Sequence, residues 1–231
     1  MPDRPTPGSA LAAQIMVIAK EPVPGRVKTR LTPPYTPAEA AELAEAALAD
    51  TLAAVASASV SRRVLALAGT PGRWLPAGFD VIGQRGGGLD ERIAWALADA
   101  RATCPDPLVL IGMDTPQVTP ALLAQAAGPL VSGAADATFG LAEDGGFWLL
   151  GLREIDPALV LGVPMSRPDT GSRQLARLHD AGLRVGLLPE LADVDTADEA
   201  ERIAAATPDS RFAACVKTLC HRAAQPLAAV R

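Results

Sequence analysis

The stretch that decides the fold is Leu108–Pro116, which reads LVLIGMDTP. Its first four residues are apolar without alternation, a pattern typical of a short strand buried on both faces. A glycine follows, and an acid stands two residues later. Because ligands of open parallel sheets bind beyond the carboxyl ends of the strands, Asp114 is placed where a substrate or a metal ion would lie. An acid that only caps the turn before Pro116 fits the same pattern.

Strand-like apolar runs alternate with amphipathic helical runs on the amino-terminal side of this stretch and just beyond it. The order up to residue 130 is strand, loop, helix, strand, strand, helix, strand, helix, which predicts a mostly parallel sheet with helices on both faces. The expected strands cover 14–19, 64–68, 79–82 and 108–111, and the expected helices cover about 37–56, 89–102 and 119–130. The class predicted from this pattern is α/β.

Beyond residue 130 the pattern changes to two strand-like runs, 137–141 and 147–152, around the residues Glu143-Asp144-Gly145-Gly146. The glycines are a turn signal, so these runs predict a hairpin or two strands around an irregular loop. Asp144 is then either an ordinary turn acid or an acid directed at a site. The remaining expected elements are a helix at 173–181, a strand at 184–188 and a final helix at 210–224.

Length and composition limit the possible organisation. The 231 residues are 49% hydrophobic and carry a net charge of −5, so the chain can bury a normal core and lacks the basic field of a general nucleic-acid binder. Three cysteines, an odd number, indicate a reduced cytoplasmic protein, and we expect no export signal or membrane span. The expected organisation is a flexible N-terminal segment at 1–13, a single domain at 14–208 and a C-terminal helix at 209–231 packed on that domain.

The segment after the first expected strand, residues 20–31, is basic and irregular. Two prolines and a glycine keep it out of regular structure, and it holds four cations against one acid. Those cations are Lys20, Arg26, Lys28 and Arg30. A basic loop after a strand is a plausible cradle for phosphates, although a solvated charged loop fits as well. Lys28 follows Val27 and not a glycine, so the segment is not a Walker loop.

A second acidic pair lies late in the chain, at Asp193 and Asp195. In an extended segment these side chains project to the same side, roughly 6–7 Å apart, and two acids so placed can share a cation. Acids that precede a helix are also favoured by the helix dipole, which is the alternative explanation. The run Gly83–Gly88 (GQRGGG) is a weak match to a dinucleotide fingerprint, because it follows a short third strand and not the first.

These features suit one task, the handling of a nucleotide diphosphate with a divalent metal. The basic loop could hold phosphates, Asp114 could hold the cation, and the late acids could complete its shell. Magnesium prefers such oxygen ligands together with substrate phosphates and water. Since a diphosphate leaving group needs its charge neutralised as the bond breaks, the implied reaction is transfer from a nucleotide-activated donor.

The same segments carry a family resemblance that runs from about Gln14 to Glu199. They are Ala19-Lys20 through Val27–Leu31 (VKTRL), Leu89–Arg92, Ile111–Pro116, Glu143–Phe147 and Asp193–Thr196. In this order they resemble bacterial glycosyltransferase-like proteins of the radical-SAM/selenodomain-associated or arsenosugar-biosynthesis type. The chain is also similar to 2-phospho-lactate guanylyltransferases, which share a comparable Lys-Thr-Arg loop and a late Asp-x-Asp. The resemblance implies the single-domain glycosyltransferase-A fold, also called the nucleotide-diphospho-sugar transferase fold.

The resemblance also implies roles for particular residues. Nucleotide binding would fall to Lys20, Lys28, Thr29, Arg30 and Arg92. Binding of Mg²⁺ or Mn²⁺ would fall to Asp114, Asp193 and Asp195. Asp114 and Asp144 would be the catalytic acids, with Asp144 on the acceptor side. Two departures from the family pattern are Met113, where Thr or Ser is usual, and Pro164–Arg167 (PMSR), where a Trp-Ser-Thr-like element is usual.

Three functions follow as hypotheses. The first is a metal-dependent glycosyltransferase that moves a sugar from a nucleotide-diphosphate sugar to a small acceptor. The second is a nucleotidyltransferase that joins a nucleoside triphosphate to a phosphorylated small molecule and releases pyrophosphate. The third is a non-catalytic nucleotide-binding protein, because a fold does not fix a function. The expected partners are small molecules, without nucleic acid.

Overall fold

The structure, a computed structural model, describes residues 10–224. Within them the strands are β1 (Leu11–Lys20), β2 (Val60–Ala68), β3 (Asp80–Gly83), β4 (Leu108–Ile111), β5 (Ala137–Leu141), β6 (Phe147–Leu152) and β7 (Val185–Leu187). The helices are α1 (Pro37–Ser57), α2 (Leu89–Thr103), α3 (Pro120–Ser132), α4 (Thr170–Asp180), α5 (Ala197–Ala206) and α6 (Arg211–Ala224). Short 3-10 turns cover Thr29–Leu31 and Pro157–Leu159.

The described strands form one sheet in the order β3-β2-β1-β4-β6-β5-β7. Strand β6 is antiparallel to its neighbours β4 and β5, and the other neighbouring pairs are parallel. The predicted α/β fold with a mostly parallel sheet is therefore confirmed, and so is the hairpin of β5 and β6. Because β6 runs against β4, its first residues lie at the same sheet edge as the carboxyl ends of β1 and β4.

Helices cover both faces of the sheet, because the central strands are apolar on both sides. In β1, Ile15 and Val17 belong to one buried cluster and Met16 belongs to the other. Residues of α1 and α3 pack on the first face, and residues of α2 and α4 pack on the second. Four consecutive buried residues in β4 agree with the prediction of a strand covered on both faces.

The C-terminal helix α6 packs on the outer side of α1. A third buried cluster contains Leu43 of α1, Ile203 of α5, and Phe212 and Leu219 of α6. The side chain of Asp50 in α1 accepts hydrogen bonds from the first backbone N–H groups of α6, at Arg211 and Phe212. No helix among residues 10–224 combines the length and apolarity needed to cross a membrane.

Two strands begin earlier than predicted. β1 begins at Leu11 and not at 14, and β2 begins at Val60 and not at 64. Leu11 pairs with Val60, and Ser61 donates its hydroxyl to the carbonyl of Ala13. Ser61, Arg62 and Arg63 hide the strand pattern at the start of β2. Residues 1–9 of the expected flexible N-terminal segment, and residues 225–231 of the expected C-terminal helix, lie outside the described residues.

The helix ends follow from local side-chain bonds. Thr36 and Thr196 form capping boxes with Glu39 and Glu199 at the starts of α1 and α5. Helix α4 begins at Thr170 and not at the predicted residue 173. The hydroxyl of Thr170 donates to the carbonyl of Pro164, and this contact within the preceding loop fixes the start of the helix.

Candidate functional site

A cavity of about 720 Å³ lies at the sheet edge where β1 and β4 end and β6 begins. Its wall brings together every site residue put forward from the sequence. These are Lys20, Lys28, Thr29, Arg30, Arg92, Asp114, Asp144, Asp193 and Asp195. Segments far apart in the chain therefore meet at one edge of the sheet, and the roles of these residues stay predictions.

The basic loop is fixed at both ends of its cationic part. Val27 is buried in the core cluster beneath α1, and Leu31 is buried in the cluster shared with α5 and α6. Between these two anchors Lys28 adopts a left-handed backbone conformation, with φ 48° and ψ 40°. A residue other than glycine is uncommon there, and the strain is sustained only when neighbouring structure imposes it. The two buried anchors impose it here and direct the Lys28 side chain inward.

The ammonium group of Lys28 lies between two carboxylates. Its nitrogen is 2.9 Å from Oδ1 of Asp114 and 3.2 Å from Oδ1 of Asp195, and only 6% of the Lys28 side chain is exposed. Arg30 binds the other oxygen of Asp195 at 2.9 Å, from a largely exposed position. Two carboxylates can share a divalent cation, one of them through a water, only if their oxygens lie within roughly 8 Å of each other. Because one nitrogen contacts both Asp114 and Asp195, their oxygens are closer than this limit.

The two acids also determine the protonation of this lysine. Burial alone would lower the pKa of Lys28, but the charges of Asp114 and Asp195 outweigh burial and raise the pKa above its ordinary value of 10.5. Lys28 is therefore a buried permanent cation. Removing one of its partners leaves a buried charge unpaired, which is strongly destabilising in proteins.

The late acidic segment is held against the loop after β4 by two hydrogen bonds. The backbone N–H of Val194 donates to the carbonyl of Asp114 at 3.1 Å, and the amide of Gln117 donates to the carbonyl of Ala192 at 2.6 Å. Val194 is buried, while Asp193 and Asp195 on either side of it line the cavity. The alternation expected for an extended segment therefore holds, and both acids face the same space.

Asp193 is in an acid-rich environment. Burial, together with the nearby carboxylate of Asp114, raises the pKa of Asp193 to about 7 against the opposing effect of Lys28. Asp144 and Asp195 also contribute to this increase. Without a further cation at this point, Asp193 holds its proton near neutral pH.

The opposite wall of the cavity consists of two interlocked loops, 143–146 and 165–171. Asp144 accepts a hydrogen bond from the N–H of Gly146 at 2.7 Å, so it is a turn acid that also faces the cavity. Gly145 has φ +87°, and a Cβ there would lie 2.0 Å from the carbonyl oxygen of Pro168. The N–H of Gly171 donates to the carbonyl of Gly145 at 2.8 Å. The loops fit together only because glycine occupies these positions.

Sequence reasoning did not assign a role to several residues of the cavity wall. Gln84 uses both protons of its amide, to the carbonyls of Ala19 and Ala66, so its own carbonyl oxygen is left as an oriented acceptor. The sequence feature that could have pointed to Gln84 is its position as a polar residue directly after β3, within the glycine-rich run Gly83–Gly88. Arg167 lies in the Pro164–Arg167 departure, and Arg26 was noted only as part of the basic loop.

The departure at Met113 has a structural counterpart. Its sulfur accepts a hydrogen bond from the backbone N–H of Lys20 at 3.2 Å, so it ties the end of β1 to the loop after β4. Trp148, expected to be a core residue, is buried, and its indole N–H donates to the carbonyl of Pro189 at 3.0 Å.

The donor set matches a hard divalent cation in kind. Four carboxylates line the cavity among the described residues, and Oδ1 of Asp114 has no accessible surface and no well-aligned hydrogen bond, despite its ion pair with Lys28. Mg²⁺ and Mn²⁺ favour such oxygens. Within residues 10–224, however, no three acidic, histidine or cysteine side chains already stand in a metal-binding arrangement. Lys28 holds two of the acids instead.

Comparison with known proteins places this geometry in a family. Residues 41–167 match a family described as an uncharacterised protein conserved in bacteria, DUF2064. The chain belongs to this family. The matched region includes Arg92, Asp114 and Asp144, and it leaves out the basic loop and the late acids. No curated protein matches this DUF2064 protein in sequence.

Solved structures show which fold the family member shares. A protein of Desulfovibrio desulfuricans G20, described as a candidate nucleotide-diphospho-sugar transferase, is 27% identical and covers 92% of this chain and 95% of its own, with a TM-score of 0.81. CMP:2-keto-3-deoxy-manno-octonic acid synthetase, solved with CTP, is 15% identical over 85% of this chain and 98% of its own, with a TM-score of 0.55. Rv0371c of Mycobacterium tuberculosis H37Rv is 22% identical over 84% and 98%, with a TM-score of 0.50. The fold is that of the nucleotide-diphospho-sugar transferases.

Proposed function

We propose that this protein is a metal-dependent glycosyltransferase that moves a sugar from a nucleotide-diphosphate sugar to a small acceptor. The observation that carries the proposal is the cavity in which a basic loop and four carboxylates meet at the carboxyl ends of parallel strands. The similarity to the Desulfovibrio protein supports the same reaction class. The narrower relationship to radical-SAM/selenodomain-associated or arsenosugar-biosynthesis transferases belongs to this proposal.

The basic loop would bind the diphosphate of the donor. Six cationic side chains line the cavity among the described residues, and they are Lys20, Arg26, Lys28, Arg30, Arg92 and Arg167. Within residues 10–224, no ion pair or side-chain hydrogen bond engages Lys20, Arg26 or Arg92, so these are the cations ready to meet phosphates. Thr29 adds a hydroxyl beside them. Fixed cations of this kind stabilise a diphosphate leaving group without reorganisation.

The acids would divide into two groups. Asp114, Asp193 and Asp195 would hold Mg²⁺ or Mn²⁺, which when bound supplies neutralising charge to the diphosphate. Asp144, on the wall formed by the interlocked loops, would accept the proton of the acceptor hydroxyl. The hydroxyl oxygen then forms the new bond to the sugar carbon, and the bond from that carbon to the diphosphate oxygen breaks, releasing the nucleoside diphosphate.

The test begins with the donor. A thermal-shift panel of nucleotides and nucleotide sugars, with and without Mg²⁺ or Mn²⁺, identifies it, since a ligand at 100 times its dissociation constant adds roughly 2.7 kcal/mol of stability. Asp114→Asn is then assayed for donor turnover with the metal present. We expect a loss of at least about a hundredfold, the effect of removing one group that stabilises transition-state charge.

Asp209→Asn is the matched control for this substitution, because Asp209 is an exposed acid in the turn between α5 and α6. It should leave turnover unchanged. Unchanged turnover in Asp114→Asn would rule out the metal role of that residue and, with it, the proposed mechanism.

A second candidate is a nucleotidyltransferase, which would include a relationship to 2-phospho-lactate guanylyltransferases. The observation in its favour is the surplus of cations: six basic against four acidic side chains line the cavity, and a triphosphate asks for more positive charge than a diphosphate. The released product separates the two candidates. Pyrophosphate indicates nucleotidyl transfer, and a nucleoside diphosphate indicates glycosyl transfer.

A further inference from the structure

The contact that the proposed function does not use is the one between Lys28 and the acids. The buried ammonium touches Asp114 and Asp195, the two carboxylates assigned above to the metal. A divalent cation bound to oxygens of both acids would sit about 2.0–2.2 Å from each. Lys28 Nζ already lies on that line of approach, at 2.9 and 3.2 Å. The same space cannot hold both cations.

We propose that Lys28 is a resident counter-ion of the acid cluster, that a divalent cation binds Asp114 and Asp195 only when Lys28 leaves, and that the phosphates of the donor draw it away. This inference rests on the proposed function for the identity of the donor. It adds a coupling: phosphate and metal each bind more tightly when the other is present.

The structure provides the competition. Lys28 is nearly fully buried and is anchored on both sides by Val27 and Leu31, so it does not drift out of the cluster unaided. Desolvated charges of this kind need a partner at all times. A metal that enters alone would push the ammonium from its two carboxylates into a place with no replacement anion.

The structure also provides the exchange partner. Lys28, Lys20, Arg26 and Arg30 line one cavity, so a phosphate chain held by the loop comes within reach of the lysine. The ammonium then trades carboxylate oxygens for phosphate oxygens, and the carboxylates become free for the metal. Energetic coupling between two ligands is reciprocal, so each is expected to raise the affinity of the other by the same factor.

The experiment measures Mn²⁺ affinity from the electron paramagnetic resonance signal of the free ion, without nucleotide. Lys28→Met keeps most of the length of the side chain and removes its charge. We expect it to bind Mn²⁺ more tightly than wild type by about tenfold or more. Lys20→Met is the matched control, because it removes one charge from the same cavity without touching Asp114 or Asp195. Its gain should be at most about threefold.

The second arm adds inorganic sulfate, a phosphate mimic that binds Mn²⁺ weakly in solution. Sulfate should tighten Mn²⁺ binding to wild type and to Lys20→Met, and should lose that effect in Lys28→Met. If Lys28→Met does not fold, as its melting curve will show, Lys28→Gln replaces it in both arms.

Equal or weaker Mn²⁺ binding by the Lys28 variant would overturn the inference, and so would a gain no larger than that of Lys20→Met. A sulfate effect that persists without Lys28 would overturn the coupling. These outcomes are independent of turnover. A protein that transfers no sugar can still show the competition, and an active glycosyltransferase can fail to show it.

Discussion

The interlocked loops 143–146 and 165–171 allow a quantitative prediction for Gly145→Ala. Gly145 has φ +87°, and the added Cβ would lie 2.0 Å from the backbone oxygen of Pro168. Carbon and oxygen rarely approach closer than about 3.3 Å, so one loop must move by about 1 Å. The left-handed conformation costs roughly 1–2 kcal/mol for alanine, and forced displacement of a packed segment costs a further 1–3 kcal/mol or so.

Gly162→Ala is the matched control for this substitution. Gly162 has a similar φ of +80°, but no atom lies within 4 Å of its added Cβ. It should show the conformational cost without the steric one. The difference between the two variants is therefore about 1–3 kcal/mol in the free energy of unfolding, or roughly 2–12 °C in melting temperature for a chain of this size.

Two assays check this reasoning. Denaturant unfolding gives the two free energies, and donor turnover reports the position of Asp144, which the turn holds through the N–H of Gly146. A shift of about 1 Å in a reacting group costs up to a hundredfold in rate, so Gly145→Ala should lose activity and Gly162→Ala should retain it. Equal stability losses in the two variants would show that the loops are not tightly packed in solution.

Three further predictions follow from the same structure. The metal-free wild type should lose stability relative to Asp193→Asn as the pH rises from about 4 to 7. The pKa of Asp193 is about 7 in the native state and near 3.8 in the unfolded chain, so over this range the native state binds one more proton than the unfolded state. Unfolding measured at several pH values checks this. Trp148→Phe should lower the free energy of unfolding by about 1–3 kcal/mol, measured by denaturant unfolding, because a smaller ring leaves space at a buried position and the hydrogen bond to Pro189 is lost. Thr196→Ala and Thr36→Ala should each cost about 1 kcal/mol through loss of a capping box. Calorimetric titration with Mn²⁺ should show weaker binding only for Thr196→Ala, because Thr196 adjoins Asp195. Equal Mn²⁺ affinities of the two variants would contradict this prediction.

The sequence predicted those parts of the fold whose signal is local. Four consecutive apolar residues before Asp114 predicted a doubly covered strand, and β4 is such a strand. The turn signal at 143–146 predicted a hairpin or two strands around an irregular loop, and β5 and β6 form the hairpin. In each case the residues that cause the structure are neighbours in the chain.

The parts that could not be predicted depend on contacts between distant segments. Ser61 reads as a polar residue before a strand, but β2 pairs with β1 on both sides of it and its hydroxyl donates to the carbonyl of Ala13. Gln84 reads as a loop residue, and only the carbonyls of Ala19 and Ala66 orient it toward the cavity.

The candidate site likewise has one part with a signal in the sequence and one part that depends on contacts between distant segments. Composition and order predicted that Lys28 and the acids would share one edge of the sheet. They did not predict that Lys28 would sit between Asp114 and Asp195, because that depends on its left-handed backbone and on the burial of Val27 and Leu31. Neither property has a signature in a single sequence.

The hydrogen bond from Val194 to Asp114 has a consequence for how the molecule matures. It joins positions 80 residues apart, so the acid cluster is completed by a segment that is synthesised long after Asp114. Until then a nascent chain carries the basic loop and Asp114 without Asp193 and Asp195. During synthesis Lys28 therefore has one carboxylate fewer to bind, and strands β1 to β6 can pair before the pocket reaches its final charge.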